Sequence, residues 1–382
     1  MADVQGSCDD RFSRVREELD RQLDTQEELG GAIAVDLDGE TVVDLWGGTR
    51  DITGATPWTA DTLVNVWSTT KTATALAVLT LAERGQLDLD APVSRYWPEF
   101  AAAGKEGVLV RHLMSHTSGV SGWDPPFAVE DLYDWELATS RLAAQAPWWE
   151  PGSASGYHAL NFGHLLGEVV RRVDGRMLKD FVAEELAGPL GADFTIGAPE
   201  SEWGRIAPVI PPPPLPIDFA AMDPTSPVIR TFTGPPAEAG AADTEGWRRA
   251  DIGAANVHAT ARGVRDLLRV VSLGGEAGGV RLLSEATIGR IFDVQADGVD
   301  LVLGIPLRFG IGFGITPSAG VPWLPGGRTC FWGGWGGSMI VCDLDRRLTI
   351  AYVMNRMGAG IVGSTRAEAY LREIYASVGA AV

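Results

Sequence analysis

The sequence predicts an α+β fold in which one antiparallel sheet is assembled from both ends of the chain, with a mainly helical lobe between them. Alternating apolar and polar residues over 31–38 and 41–46 indicate two strands near the beginning. Strand-like patterns return only over 308–315, 329–344 and 347–355. We therefore expect a five-stranded sheet flanked by helices, and a functional cleft between the sheet and the helical lobe.

The segments between these strands define the predicted domain boundaries. The sheet domain is expected to comprise residues 9–65 and 250–382, and the helical lobe residues 66–249. Within the lobe, residues 203–247 are irregular, and the proline run at 211–214 is incompatible with a helix interior or a central strand. We interpret this Pro-rich segment as a surface excursion. The alternative is a lid over the site, because long irregular loops are often functional.

Local signals support the individual elements. Residues 9–28 have the apolar spacing of an amphipathic helix, and Asp38-Gly39 between the first two strands is typical of a β-hairpin turn. Helical spacing also occurs over 160–174, 177–187, 258–273, 284–293 and 364–377.

The composition excludes several classes of protein. The chain has 382 residues, 45% of them hydrophobic, and a formal net charge of −19, which argues against nucleic acid and anionic membranes as partners. No apolar run approaches the length of about 18 residues that a membrane span needs. Cys8, Cys330 and Cys342 are too few and too scattered for a disulfide framework. The acidic, polar residues 1–24 do not resemble a signal peptide, so a cytoplasmic location is expected.

The most informative local motif is Ser68-x-x-Lys71. An apolar run turns at Ser68 into an Ala/Leu-rich segment with helical spacing, so Ser68 is expected at or near a helix N-terminus. Lys71 then lies one turn further along the same face, where it could accept the proton of a serine nucleophile. The alternative is that Ser68 only caps the helix and that Lys71 is a solvated first-turn residue.

Two further stretches are candidates for the same site. Tyr157 follows a glycine-containing loop and precedes a helix, and a phenol beside a lysine ammonium could lose its proton more easily and act as a general base. It could equally be a core tyrosine. In residues 331–338, glycines alternate with Trp332 and Trp335. Such a glycine-lined strand edge could donate a backbone N–H to an oxyanion, or it could be a bulged strand packed on aromatic side chains.

The order Ser68-x-x-Lys71, Tyr157, Trp332-Gly333-Gly334 resembles that of the serine β-lactamase and penicillin-binding superfamily. The resemblance is closest to the class C β-lactamase-like branch and the family VIII carboxylesterases within it. It extends over about residues 10–378. Supporting motifs occur at residues 85–93, 113–119, 149–152 and 351–357.

The resemblance implies a β-lactamase/penicillin-binding-like fold and a role for each motif. Ser68 would be the acyl-accepting nucleophile, while Lys71 and Tyr157 would move its proton to the leaving group. The backbone N–H groups of Ser68 and Trp335 would bind the oxyanion. No cofactor and no metal would be needed.

Two departures from the family motifs bear on the substrate. The Tyr-x-Asn motif of class C β-lactamases reads Tyr157-His158-Ala159, and the Lys-Thr-Gly motif reads Trp332-Gly333-Gly334. The missing amide and the missing cation favour neutral esters over anionic antibiotics. We therefore expect a serine carboxylesterase that acts on small-molecule esters with small or medium acyl chains. The residues expected to bind the substrate are Trp332, Gly333, Gly334, Trp148, Trp149 and His158.

Several alternatives stay open at this point. The same chemistry could transfer the acyl group to another acceptor, or cleave an amide or a β-lactam. The fold could also serve a non-catalytic binding protein. A metallohydrolase would have to use the four histidines His112, His116, His158 and His164. The oligomeric state is not predicted.

Overall fold

The computed structural model describes residues 4–213, 222–236 and 238–380. Its strands, numbered in chain order, are Gln5–Cys8 (β1), Gly30–Leu37 (β2), Glu40–Gly48 (β3), Val64–Asn65 (β4), Phe194–Ile196 (β5), Val257–Ala259 (β6), Glu276–Ala277 (β7), Val280–Arg281 (β8), Ala296–Val299 (β9), Pro306–Phe309 (β10), Gly314–Ile315 (β11), Thr329–Gly333 (β12), Met339–Asp343 (β13) and Leu348–Met354 (β14).

The helices are numbered in the same way. They are Ser13–Asp24 (α1), Lys71–Glu83 (α2), Val110–Met114 (α3), Trp135–Ala144 (α4), Asn161–Asp174 (α5), Leu178–Phe181 (α6), Gly188–Leu190 (α7), Pro227–Thr233 (α8), Glu245–Arg249 (α9), Ala261–Ser272 (α10), Glu285–Arg290 (α11) and Thr365–Ser377 (α12). Residues 182–187 continue α6 as a π-helix into α7.

The largest sheet is antiparallel throughout, with the order β1-β3-β2-β14-β13-β12-β11-β10-β9. It confirms that strands from both ends of the chain share one sheet, because β2 pairs with β14 from Leu37↔Leu348 to Gly31↔Met354. The predicted count of five strands is corrected to nine in the described residues. Residues 329–344 fold as two strands around a glycine-rich turn, and the short edge strands β1 and β9 carry too few alternating residues to be recognised.

The hairpin between β2 and β3 shows how local turn chemistry sets the register. Asp38 and Gly39 form its two-residue loop with φ of 55° and 91°. Positive φ at both positions suits the right-handed twist of the flanking strands, and Asp and Gly tolerate it. The helix predicted for residues 9–28 is shorter than expected and ends at Asp24.

Helices pack on this sheet and form the rest of the molecule. Helix α10 packs on β14, β2 and β13, whereas α1 packs on α12 and β3. Helix α2 contacts both α10 and α5, and every residue from Lys71 to Leu81 is buried. A helix that is apolar on all sides belongs inside the molecule, and α2 therefore carries its first residue, Lys71, into the interior.

The division into a sheet domain (9–65 and 250–382) and a helical lobe (66–249) stays a proposal. A second sheet, with the order β4-β6-β5, takes strands from both parts. The irregular segment 203–247 contains α8 and the beginning of α9, and part of it, residues 214–221 and 237, lies outside the described residues. Within the described ranges, no helix combines the length and apolarity that crossing a membrane requires.

Candidate active site

Ser68 lies in a tight turn between the small sheet and the central helix. After β4 the chain passes through a 3₁₀ turn at Trp67–Thr70, and α2 begins at Lys71. Trp67 has a φ of 49°, a left-handed conformation that is unfavourable for a bulky side chain. Its ring packs against Trp247 and Trp335 at centroid distances of 5.5 and 5.0 Å, and these contacts hold the turn in place.

The structure brings together the three side chains that the motifs singled out. Ser68 Oγ lies 3.0 Å from Lys71 Nζ and 2.5 Å from Tyr157 Oη. Lys71 Nζ lies 4.7 Å from the centre of the Tyr157 ring. Residues 89 positions apart in the chain thus share one hydrogen-bonded cluster.

Lys71 is buried in surroundings that favour its neutral form. Besides Ser68, its Nζ contacts the carbonyl oxygens of Ala159 at 2.8 Å and Ala254 at 2.9 Å. Burial lowers the pKa of Lys71 well below its ordinary value. A neutral amine has two N–H donors for the two carbonyls and one lone pair, which is left facing the Ser68 hydroxyl. This arrangement lets Lys71 accept the serine proton.

Tyr157 is protonated in this site. Burial raises the pKa of its phenol, and the negative charge of Asp300 adds to that effect. The expectation that a neighbouring ammonium makes Tyr157 easier to ionise is therefore wrong for this site, because burial outweighs it and also favours the neutral form of the lysine. The phenol donates its proton to Ser68 Oγ.

The glycine-rich turn between β12 and β13 packs directly on the nucleophile turn. Ser338 Oγ donates to the Val66 carbonyl at 2.8 Å and lies 3.0 Å from Thr69 Oγ1. Gly334 permits this contact, because a Cβ there would overlap Ser338 Oγ and the Val66 carbonyl. Within the described residues, the N–H groups of Ser68 and Trp335 donate to no backbone carbonyl. Neither N–H group is therefore committed to the secondary structure around it.

Ser68 and Tyr157 open onto a cavity of about 490 Å³. Its described wall is mostly apolar and includes one acidic residue, Glu238, but no Lys or Arg. Its lining comes from several separate parts of the chain, including the residues around Ser68. The lining residues are Trp67, Ser68, Val129, Leu132, Tyr157, Ala159, Leu160, Met222, Val228, Thr231, Phe232, Pro235, Pro236, Glu238, Ala241, Trp247, Ala255, Leu301, Val302, Leu303, Gly304, Trp335 and Ile361.

This wall bears on the two interpretations of residues 203–247. Nine lining residues belong to that segment, from Met222 to Trp247, and α8 supplies Val228, Thr231 and Phe232. The described part of this segment thus contributes to the cavity wall, while its interpretation as a surface excursion or a lid stays a prediction.

The residues predicted to bind substrate occupy other places, because none of the six is among those that line the cavity. Trp332 is buried behind Tyr157, with ring centroids 5.4 Å apart, and Gly333 and Gly334 lead into the turn beside Ser68. His158 is also buried, with its ring nitrogens 2.6 Å from Ser118 Oγ and 2.7 Å from the Gly156 carbonyl.

Trp148 and Trp149, which are adjacent in the sequence, also lie outside the cavity lining. Trp148 packs under the Arg230 guanidinium at 4.0 Å and donates from Nε1 to Asp124. Trp149 covers Gly156, where a Cβ would overlap its ring. Trp149 thus packs on the loop that leads into Tyr157. The tryptophans on the cavity wall are instead Trp67, Trp247 and Trp335.

The structure also shows residues that the sequence patterns did not single out. Asp300 is buried and accepts the backbone N–H of Tyr157 at 3.0 Å. Its only sequence signal is a carboxylate in a turn-like stretch, which is too common to be recognised. The apolar wall residues carry no signal of their own, because tertiary packing alone assembles them.

The four histidines do not form a common site. Among the described residues, no group of three or more His, Cys, Asp or Glu has a geometry that could hold a metal ion. His116 instead packs among rings, at 5.1 Å from Tyr157 and 5.0 Å from both Phe162 and Phe309. His164 Nε2 is 3.0 Å from the Leu132 carbonyl.

Comparison with known proteins places this geometry in a family. A family model described as Beta-lactamase matches residues 15–372. The esterase/beta-lactamase LipL of Mycobacterium tuberculosis is 35% identical over 370 residues, which cover 94% of this chain and 84% of that protein. The crystal structure of a family VIII carboxylesterase is 37% identical and superimposes with a TM-score of 0.92, covering 98% of this chain and 100% of that chain.

A penicillin-binding protein homologue from Caulobacter crescentus is similar to the same degree. It is 37% identical, with a TM-score of 0.90 over 98% of this chain and 100% of that chain. Both structures extend over nearly the whole molecule, as the spaced motifs do. The chain therefore belongs to the β-lactamase family, as its motifs had indicated.

Proposed function

We propose that the protein is a serine carboxylesterase that cleaves carboxylic esters with small or medium acyl chains through an acyl-enzyme on Ser68. The observation that carries this proposal is the position of Ser68 Oγ, 3.0 Å from the Lys71 amine and 2.5 Å from the Tyr157 hydroxyl, on the wall of an apolar cavity. The names of its relatives, an esterase/beta-lactamase and a family VIII carboxylesterase, support the same reaction class.

Acylation begins with an ester carbonyl placed against Ser68. As Ser68 Oγ attacks the carbonyl carbon, the hydroxyl proton passes to the neutral Lys71 amine and the C=O electron pair moves onto oxygen. The backbone N–H groups of Ser68 and Trp335 stabilise this oxyanion, and one such donor contributes about 10²–10³ in turnover. The burial that keeps Lys71 neutral thus supplies the base.

Departure of the alcohol needs a proton donor. Tyr157 gives its phenolic proton to the leaving alkoxide oxygen as the C–O bond breaks, and the Lys71 ammonium restores that proton. Water then attacks the acyl-enzyme, loses a proton to the same pair, and Ser68 leaves with a proton as the carboxylic acid is released. Both side chains end the cycle in their starting protonation states.

The charge of the cavity favours uncharged esters. Its described wall contains Glu238 and no cation, and Trp332-Gly333-Gly334 occupies the place of a Lys-containing motif. A substrate carboxylate would find no partner there and would be repelled by the overall negative charge. Carboxylate-bearing β-lactams are therefore disfavoured relative to neutral esters.

A second candidate is acyl transfer to another alcohol by the same acyl-enzyme. The apolar wall favours it, because a bound alcohol with an apolar body can compete with water for the acyl carbonyl. Product analysis with a competing alcohol separates the two reactions. Amide or β-lactam hydrolysis is tested with the same enzyme on matched substrates.

Turnover of p-nitrophenyl acetate, butyrate and octanoate by the wild type and Ser68→Ala tests the proposal. We expect a rapid burst of nitrophenol, and a loss of about 10³-fold or more in kcat for the variant. Ser140→Ala, an exposed serine on α4, is the control and should retain full activity. Undiminished turnover by Ser68→Ala would reject the mechanism. A cytoplasmic location stays a prediction, which cell fractionation tests.

A further inference from the structure

A single carboxylate connects the Tyr157 segment to the cavity wall. Asp300 lies in the loop between β9 and β10 and is fully buried. Its Oδ1 accepts three backbone N–H groups, from Tyr157 at 3.0 Å and from Val302 and Leu303 at 2.9 Å each. Two of these bonds shape its own loop, and the third crosses to the site.

Further contacts join the same two segments. The Leu301 N–H donates to the Ser155 carbonyl at 2.9 Å, so bonds reach the site loop on both sides of Gly156. The Val302 side chain belongs to a small buried cluster with Tyr157 and Trp332. Residues 301–304 also line the cavity. The loop that a substrate touches is therefore fastened to the residue that supplies the leaving-group proton.

The second oxygen of Asp300 distinguishes it from an ordinary turn residue. Oδ2 is buried and has no hydrogen-bond partner among the described residues. A buried carboxylate oxygen without a partner is costly, and loop formation does not require it, because Oδ1 alone accepts the three N–H groups. A negative charge on Asp300 raises the pKa of the Tyr157 phenol and so favours its protonated form.

We infer that Asp300 is a positioning residue that holds Tyr157 and the cavity loop 300–304 as one unit and keeps the phenol in its proton-donating form. This inference rests on the proposed function of Tyr157. It assigns to Asp300 an effect on kcat, which reports the chemical step, in addition to any effect on substrate binding.

Asp300→Asn and Asp300→Ser separate the two parts of this role. Asparagine keeps an oxygen for the three N–H groups but removes the charge. Serine can still bond Val302 and Leu303 within the turn, but its side chain is too short to reach Tyr157. We expect kcat for a p-nitrophenyl ester to fall about tenfold in the first variant and about a hundredfold in the second, with KM changed less than threefold.

The pH profile of kcat distinguishes the proposed role of Asp300 from a purely structural one, because a structural role would not shift it. The titratable side chains next to the phenol are Lys71, His116, His158 and Asp300. Removing the negative charge of Asp300 lowers the pKa of Tyr157, so the alkaline limb of kcat should shift to lower pH in Asp300→Asn. A change in KM alone, with both kcat and this limb unchanged, would overturn the inference.

Asp343 supplies matched controls, because it is equally buried and accepts the backbone N–H of Arg346 in the turn after β13, away from the cavity. Asp343→Asn and Asp343→Ser should leave kcat and the alkaline limb unchanged. If they lower kcat as much as the Asp300 variants, the effect is a general loss of stability and the inference fails.

Two measurements keep the test independent of folding and of ester turnover. In the wild type, the amide protons of Tyr157, Val302 and Leu303 should exchange with solvent together, as one opening unit; independent exchange contradicts the proposal. If no ester is hydrolysed, the proposed function fails, and the labelling rate of Ser68 by a fluorophosphonate then reports on Asp300. An equal labelling rate in wild type and Asp300→Asn would reject the positioning role.

Discussion

The nucleophile turn at residues 66–71 and the cavity wall at residues 222–241 contribute to the same cavity, and they are built differently. Every residue of the turn is buried. The backbone N–H of Val257 in β6 donates to Thr70, and the Ser338 hydroxyl in the β12–β13 turn donates to the Val66 carbonyl. The wall includes a short helix whose cavity-lining Val228 and Phe232 are half-buried, and Met222 is 37% exposed. The proposed chemistry would thus lie in a buried part of the molecule, and the proposed substrate fit in a partly exposed part.

This difference predicts which kinetic constant a substitution in each region should change. A change in the nucleophile turn should lower kcat, and often stability, because many buried contacts depend on each residue. A change in the wall should alter KM and acyl-chain preference with little loss of stability. The predictions below test that division, beginning with the largest effect.

Lys71→Met should lower kcat/KM by about 10³-fold, because it removes the base while keeping a buried side chain of similar length. Lys105→Met is the matched control. Lys105 is also fully buried and also bonds main-chain carbonyls, those of Ala102 and Ala143 among them. Ester hydrolysis with purified variants should show full activity for Lys105→Met. A similar loss in both variants would mean that Lys71 only supports the structure.

The acidic limb of kcat/KM for the wild type should report Lys71. Burial depresses the pKa of this lysine, so the neutral base persists well below its ordinary value of 10.5 and is lost as pH falls through the folded-state pKa. Activity should therefore decline toward acidic pH, and Lys71→Met should abolish this limb in its residual rate. An acidic limb that is retained in the variant would assign it to another group.

Gly334→Ala should reduce kcat by about 10²-fold, because the new methyl group overlaps Ser338 and Val66 and displaces the Trp335 N–H. Thermal unfolding should also show a loss of about 1–3 kcal/mol. Gly289→Ala in α11 is the control, since no atom lies within 4 Å of its added Cβ. That variant should equal or exceed the wild type in stability. Full activity of Gly334→Ala would show that the glycine turn does not position a donor for the oxyanion.

Phe232→Ala should raise KM about tenfold for an octanoate ester and less for an acetate ester, with kcat within twofold, because about 1.4 kcal/mol of apolar contact is lost. Phe292→Ala, which alters a half-buried phenylalanine outside the cavity lining, should leave both constants unchanged. The KM ratio between the two chain lengths is the measurement. An effect confined to kcat would contradict the division between the two regions.

Trp148→Phe should have the smallest effect, with both kinetic constants within about twofold of the wild type. The indole lies outside the cavity lining and donates to Asp124 at 2.9 Å, so about 1 kcal/mol of stability is the expected loss. Chemical denaturation and ester kinetics measure the two quantities. A strong change in acyl-chain preference would instead return Trp148 to the substrate-binding residues that the sequence had suggested.

The same contrast explains what the sequence could predict. Ser68 and Lys71 are three residues apart, and the Asp38-Gly39 turn is local, so short-range rules predict both. The meeting of Tyr157 with this pair came from the family resemblance, since no spacing rule joins residues 89 positions apart. The edge strands β1 and β9 were missed because they are too short for alternation to stand out.

The cavity wall could not be predicted for a different physical reason. Apolar residues of the core and apolar residues of a pocket look the same along the chain, and only packing decides which of them meet open space. Trp148 and Trp149 were therefore predicted to bind substrate, although the tryptophans that line the cavity are Trp67, Trp247 and Trp335. Asp300 was missed because its three partners are backbone groups, whose positions only the folded structure specifies.

The pairing of β2 with β14 has a consequence for biosynthesis. Residues that face each other, such as Gly31 and Met354, lie far apart in the chain and are synthesised at very different times. The edge of the first hairpin that pairs with β14 must therefore stay unpaired until β14 has left the ribosome. Such a delay slows folding and exposes a strand edge to aggregation, so we expect the nascent chain to depend on chaperones until β14 has been synthesised.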